Sequence, residues 1–217
     1  MSHITLIRHG QANSQARDEA SYDRLSDLGH QQAAWLGAHL SESRAHHPRV
    51  WCGTLVRHLE TATSMGVADG IIRDPRLNEI EYFTLAQLLE QQHGVPIPTE
   101  REGFVHHLPR VFSAWQNGQI DNPPESWRDF ETRVNAVISE IAQGDGPALV
   151  VTSGGLISMV MAQAMGLDTL NMARIALAIM NTSMHRLFPI ADHLSPVLFN
   201  AVPHLEDPAR HFAQTHL

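Results

Sequence analysis

The 217-residue chain contains no lysine: all fifteen of its basic residues are arginine. That excludes a Walker-type phosphate loop, a Schiff-base lysine and a lysine general base. Cysteine is nearly absent too. The lone Cys52 excludes an internal disulfide framework and any cysteine-rich metal site. There is no excess of positive charge, the formal net charge being −8, so nucleic acid is not expected as a partner. Long apolar runs are lacking at the start, where residues 4–7 stop at Arg8, and no signal peptide is read there. Residues 147–167 are free of charge and long enough to span a bilayer, but Thr152-Ser153-Gly154-Gly155 divides them, and no basic flank or aromatic belt brackets them. They read as a buried strand, a tight turn and a buried helix, so no membrane partner is expected. Cytoplasm is the default location.

A hydrophobic content of 43% with 18% charged residues describes a folded domain. At this length it is one large domain, or one domain with an insert. Short apolar segments predict strands at 4–7, 49–52, 71–72, 148–151, 175–179 and 184–188, with an edge strand at 196–199. Residues 11–24 are polar and loop-like. Helices are expected from Ser26 to about 40, after Gly53-Thr54 to about 65, over 81–92, 126–141 and 156–165. Residues 93–125 hold five of the twelve prolines and a His106-His107 pair, which marks them as an inserted, substrate-side segment. Strands alternating with helices predict an α/β fold, a three-layer α/β/α sandwich around a mainly parallel sheet.

In such sheets ligands bind beyond the carboxyl ends of the strands. Three polar tips fall there: Arg8-His9-Gly10, Cys52-Gly53-Thr54 and Thr152-Ser153-Gly154-Gly155. A solvated pair is the simplest account of Arg8-His9 alone. Arg57 lies one turn beyond the second tip, and Ser153-Gly154 opens a helix whose free N–H groups suit an anion. Two fork-shaped guanidiniums, an imidazole and a helix N-terminus together suit a phosphate.

Leu6-Ile7-Arg8-His9-Gly10-Gln11-Ala12 resembles the Leu-x-Arg-His-Gly-Glu-Thr signature of the histidine phosphatase superfamily, the phosphoglycerate mutase-like proteins. Residues 25–33, the block containing Leu55, Arg57, Thr61 and Ala62, the run Asp74-Pro75-Arg76-Leu77-Asn78-Glu79, and Glu125-Ser126 with Phe130 and Arg133 extend the resemblance in order. It implies a phosphoglycerate mutase-like fold and hydrolysis of a small phosphomonoester through a phosphohistidine. His9 would be the nucleophile, Arg8 and Arg57 the phosphate clamp, and Glu79 the general acid, with Glu81 as its rival. Ser153, Gly154 and Gln15 would complete the phosphate site. Mutase-type transfer and a weakly active or inactive phosphate-ester binder are the alternatives. No cofactor and no metal is implied.

The departures are specific. Ser153 stands where the family carries a second histidine, Gln11-Ala12 replaces Glu-Thr, and Gln15 stands where the mutases often carry asparagine. A neutral hydroxyl at 153 predicts slow turnover, and predicts that Ser153→His raises it by roughly tenfold. Cys52 is rejected as a nucleophile because Cys-x4-Arg57 is one residue short of a cysteine-phosphatase loop. Ser153 is rejected as a hydrolase serine because no Gly-x-Ser-x-Gly surrounds it. The fifteen histidines are scattered without ligand spacing, and the paired ones are expected to be solvated.

Overall fold

A computed structural model describes residues 2–13, 16 and 18–216. Its centre is built from β1 (Ile4–Arg8) and β4 (Ala148–Thr152), in which every residue is buried. Unbroken apolar strands of this kind need cover on both faces, which is what parallel α/β sheets provide. β2 (Arg49–Cys52) pairs parallel to β4, and β3 (Ile72–Arg73) parallel to β2. On the far side of β1, β5 (Met184–Ile190) and β6 (His193–Ala201) run antiparallel, giving the order β3-β2-β4-β1-β5-β6.

Alternation along the strands divides the core in two. Ile4, Leu6, Ala148 and Val150 face α4 (Tyr82–His93), α5 (Arg101–Gln116), α6 (Trp127–Gln143), α7 (Gly154–Met165) and α8 (Thr169–Ala178). Ile7, Leu149 and Val151 face α2 (Asp27–Glu42) and α3 (Val56–Ser64). The result is the expected three-layer sandwich, with two antiparallel strands added to a parallel core. The Ser26 hydroxyl caps α2 by accepting from the Gly29 N–H at 3.1 Å. The charge-free stretch becomes β4 and the twelve-residue α7, and no helix among the described residues is long and apolar enough to cross a membrane.

Several expectations need correction. Residues 175–179 lie mostly in α8, not a strand: the Asp168 carboxylate caps that helix, and Met172 and Ala173 are buried at helical spacing with Ala176 packed alongside. A five-residue apolar run does not distinguish helix from strand. The third strand is Ile72–Arg73, one residue later than expected. Residues 19–22 form a short helix, α1, within the segment expected to be loop. Residues 93–125 contain α5, which continues through Pro109 and buries Val111, Phe112 and Trp115. His106 and His107 therefore sit on a helix. His107 is not solvated: it is buried, and its Nδ1 lies 2.7 Å from the Tyr82 hydroxyl. His47 is half-buried, which pushes its pKa down to about 4.

Two further histidines lie in the strand layer and its edge. His185 accepts from the Asn200 N–H at 3.2 Å and lies 2.9 Å from the Ser183 hydroxyl. His204 lies 2.9 Å from the Thr182 hydroxyl. Burial pushes both down to about 3. A lowered histidine pKa means the unfolded chain takes up protons that the fold does not. The stability is whole above about pH 6.5 and is lost as pH falls towards the folded value. At pH 5 these two residues alone should make unfolding easier by roughly 2.5 kcal/mol per pH unit. Urea melts at pH 7, 6 and 5 should show at least this slope near pH 5, and His185→Gln should reduce it by about 1.3 kcal/mol per pH unit.

Candidate active site

Parallel pairing sets the three polar tips side by side. Arg8 is in register with Thr152, and Cys52 with Val151. The chain leaving β1 is then pinned: the His9 N–H donates to the Thr152 carbonyl at 2.9 Å, and the Gly10 N–H to the Thr61 hydroxyl at 3.0 Å. The Asn181 side chain donates to the His9 carbonyl at 3.3 Å. Gly10 has to be glycine, because a Cβ there would run into the Gly29 carbonyl of α2.

His9 is buried, with its Nδ1 2.7 Å from the Gly10 carbonyl. A carbonyl accepts only, so Nδ1 carries the proton and Nε2 the free lone pair. Burial, then the charges of Arg57 and Arg8, hold the imidazole well below its ordinary pKa. Near neutrality it is therefore uncharged, the form a nucleophile requires.

Both arginines are nearly inaccessible, Arg8 at 6% exposed and Arg57 at 2%. Arg8 donates from one terminal nitrogen to the Ile179 carbonyl. Arg57 donates to the Asp23 carboxylate at 3.0 Å, and Asp23 also accepts from the Val56 and Arg57 N–H groups that open α3. The guanidinium of Arg57 lies 5.1 Å from the Tyr22 ring, whose edge approaches His9. The Nε of each arginine is buried with no hydrogen-bond partner among the described residues. Charge desolvated in this way suits an anionic ligand.

Glu79 reaches the same place from the turn after β3. Its carboxylate accepts from the Gly155 N–H and the Ile80 N–H, each at 2.9 Å. A Cβ at Gly155 would collide with it. The turn is anchored by the Thr152 hydroxyl on the Leu77 carbonyl and by Arg133, which donates to the carbonyls of Arg76 and Asn78. Arg133 is itself held by Glu125. Glu81, the rival acid, is exposed and accepts from the Thr84 hydroxyl.

Ser153 and Gly154 are buried at the start of α7, with Gly154 against the Arg8 side chain. Gln15 lies outside the described residues. Cys52 is buried with its thiol pushed up to about 11, as an inert core residue would be. A hollow between α4 and α5, lined by His93, Arg110 and Gln119 among others, shares no residue with this site.

Tyr22, Asp23, His58 and Asn181 are residues at the site that went unread in the sequence. His58 matters most. It is fully buried, its ring centre is 5.9 Å from that of His9, and its Nε2 is 2.6 Å from the Ser153 hydroxyl. Its neighbour Arg57, expected from the sequence to bind phosphate, was the available signal. Glu19 was missed as well. Burial raises its carboxyl to about 7, with the Phe83 N–H and Arg57 pulling it down and Glu79 and Glu81 pushing it up.

A buried strand-end histidine set between two buried arginines is the grouping that the β-strand pairing assembles here. The chain belongs to the histidine phosphatase superfamily (branch 1), whose model matches residues 4–201. A 2,3-bisphosphoglycerate-dependent phosphoglycerate mutase of Tropheryma whipplei is 28% identical over 152 residues, 62% of this chain and 68% of the mutase. The fold matches a phosphoserine phosphatase of Entamoeba histolytica at a TM-score of 0.70 with 15% identity, over 94% of this chain and all of that one. A mycobacterial glucosyl-3-phosphoglycerate phosphatase matches at 0.64 with 23% identity, over 93% and 99%.

The His58 ring also changes the expectation for position 153. The space beside the serine hydroxyl is filled by an imidazole, so Ser153→His meets a packed interior. Overpacking of this kind costs about 1–3 kcal/mol. Ser153→His should lower the melting temperature and should not raise turnover; thermal melts and turnover of an aryl phosphate check both.

Proposed function

We propose that the protein hydrolyses a small phosphomonoester through a phosphohistidine on His9, in the cytoplasm and without a cofactor. The observation that carries this is a neutral, buried imidazole, with its Nε2 lone pair free, lying in the field of two buried guanidiniums that each retain an unpartnered nitrogen. Phosphoryl transfer needs positioning and charge stabilisation more than anything else, and these groups supply both.

His9 Nε2 attacks phosphorus as the bond to the ester oxygen breaks. The phosphohistidine keeps its proton on Nδ1, where the Gly10 carbonyl holds it. Arg8 and Arg57 take the charge on the phosphoryl oxygens. Glu79 supplies the proton to the departing alkoxide. A water then attacks phosphorus, Glu79 removes its proton, and the P–N bond breaks to return neutral His9 and inorganic phosphate. Held on the α7 N-terminus, Glu79 is better placed for this than the exposed Glu81.

The leaving alcohol faces α1 and α4. A series of T-shaped and tilted ring contacts runs from His9 through Tyr22, Phe83 and Tyr82 to Phe104 of α5. We assign selection of the alcohol to this wall and to the α5 segment within residues 93–125. Glu19 and Glu81 beside it oppose a second anionic group on the substrate. That favours a phosphatase over a mutase, which has to bind such a group. The mutase alternative is favoured by the Tropheryma whipplei relatives and would show as activation by a bisphosphoglycerate primer.

With p-nitrophenyl phosphate, His9→Ala should abolish turnover while the protein stays folded. Glu79→Gln should lower it by roughly 10²–10⁴, the usual worth of a general acid. Arg57→Lys should weaken inorganic phosphate binding about tenfold, because a lysine loses the fork that Asp23 and the anion share. Turnover that survives in His9→Ala would overturn the mechanism. Phosphate binding without any turnover in the native protein would leave only the binder.

A further inference from the structure

His58 is an expensive residue to keep where it is. It is fully buried, and its Nδ1 has no hydrogen-bond partner among the described residues. Leaving a buried polar atom unpaired costs about 1–3 kcal/mol. Gly53 makes the room: a Cβ at 53 would strike His58 Nδ1 and the Asn78 side chain. Among the described residues, the single hydrogen bond of the ring is the 2.6 Å contact of Nε2 with the Ser153 hydroxyl. Ser153 in turn is buried, precedes α7, and adjoins Gly154, which packs on Arg8. Burial and the neighbouring Arg57 hold His58 well below its ordinary pKa, so it acts as a neutral dipole.

We propose that Ser153 and His58 work as one hydroxyl–imidazole pair, in which His58 positions the serine hydroxyl to donate to the transferring phosphoryl group. With its ring proton on Nε2, His58 donates to the serine oxygen. The oxygen's own hydrogen is then directed away from the ring, towards the space bounded by His9, Arg8 and the α7 N-terminus. No bond to hydrogen breaks in this step. The hydroxyl gains most as negative charge moves onto the phosphoryl oxygens, so the pair acts on the transition state more than on the bound ester. His58 is a positioning residue, and Ser153 is the group that touches the phosphoryl. The pair rests on the phosphoryl-transfer reading above and deepens it.

The test is a mutant cycle on p-nitrophenyl phosphate with Ser153→Ala, His58→Leu, the double variant and His58→Gln. Gln keeps an N–H donor near the Nε2 position; Leu keeps only the volume. Ser153→Ala and His58→Leu should each lower kcat by roughly 10- to 100-fold with KM changed by less than about threefold. The double variant should be no worse than Ser153→Ala, since residues acting as a unit are not additive. His58→Gln should recover most of the loss. Losses that multiply, or a Gln variant no better than Leu, would overturn the pair. So would a Ser153→Ala protein with unchanged kcat, a result that stands even if His58→Leu fails to fold. A native protein that turns over no ester would count against the phosphatase reading alone. The same proteins are then compared by orthovanadate binding, since vanadate takes the five-coordinate geometry of the transfer. The same pattern in affinity supports the pair, and equal affinities overturn it.

Discussion

Arg8 and Arg57 put two positive charges into the interior beside one imidazole, and the local architecture is arranged around holding them there. Isolated charges are not stable in such a place. Arg57 is partly neutralised by Asp23, which also caps α3, so the same carboxylate sets both the helix and the guanidinium. Arg8 has no carboxylate partner among the described residues; a carbonyl takes one nitrogen, and α7 begins beside the rest of the group. The excess of positive charge suits the site to an anion. Burial first, then the charge of Arg57, keeps His9 and His58 uncharged, and Arg8 adds to the effect at His9.

The glycines follow from the same crowding. Gly10 lets the β1 tip touch the backbone of α2, Gly53 admits His58, and Gly155 admits Glu79. Each of these contacts brings a functional side chain or its supporting backbone closer than a Cβ allows. Glu79 then depends on a longer chain of supports, from Thr152 and Arg133 to Glu125. Arg133 and Glu125 lie far from Arg8, His9 and Arg57 in sequence. Their part is to fix the turn that carries Glu79.

Much of this was legible in the sequence, for physical reasons that differ by element. β1 and β4 are unbroken apolar runs ending in polar tips, and a buried parallel strand has few other ways to look. Ser26 before α2 and Ser126 before α6 are cap residues with a definite chemical reason to stand where they do. Arg8 with His9, Arg57 and Glu79 come from three separate segments, and what the motifs suggested, the pairing of β1, β2 and β4 brings together. The failures have causes as well. The 175–179 run is too short for periodicity to decide between helix and strand. Pro109 made α5 look like a break, although proline inside a helix removes one hydrogen bond rather than the whole element. His107 looked solvated because its partner, Tyr82, is distant in sequence.

His58 was illegible for a more instructive reason. Position 153 carries serine where the resemblance called for histidine, and read along the chain that is a loss. In space, an imidazole stands beside that serine, delivered by α3 and not by the β4 tip. A motif records which backbone position supplies a group, whereas the chemistry depends on where the group's atoms are. Two adjacent tips can therefore exchange responsibility for the same volume, provided that the backbone between them is thin enough. Gly53 on the β2 tip meets that condition, since any side chain there would occupy the ring's place. Ser153, His58 and Gly53 thus form one spatial unit, and the substitution at 153 is understood only with the other two.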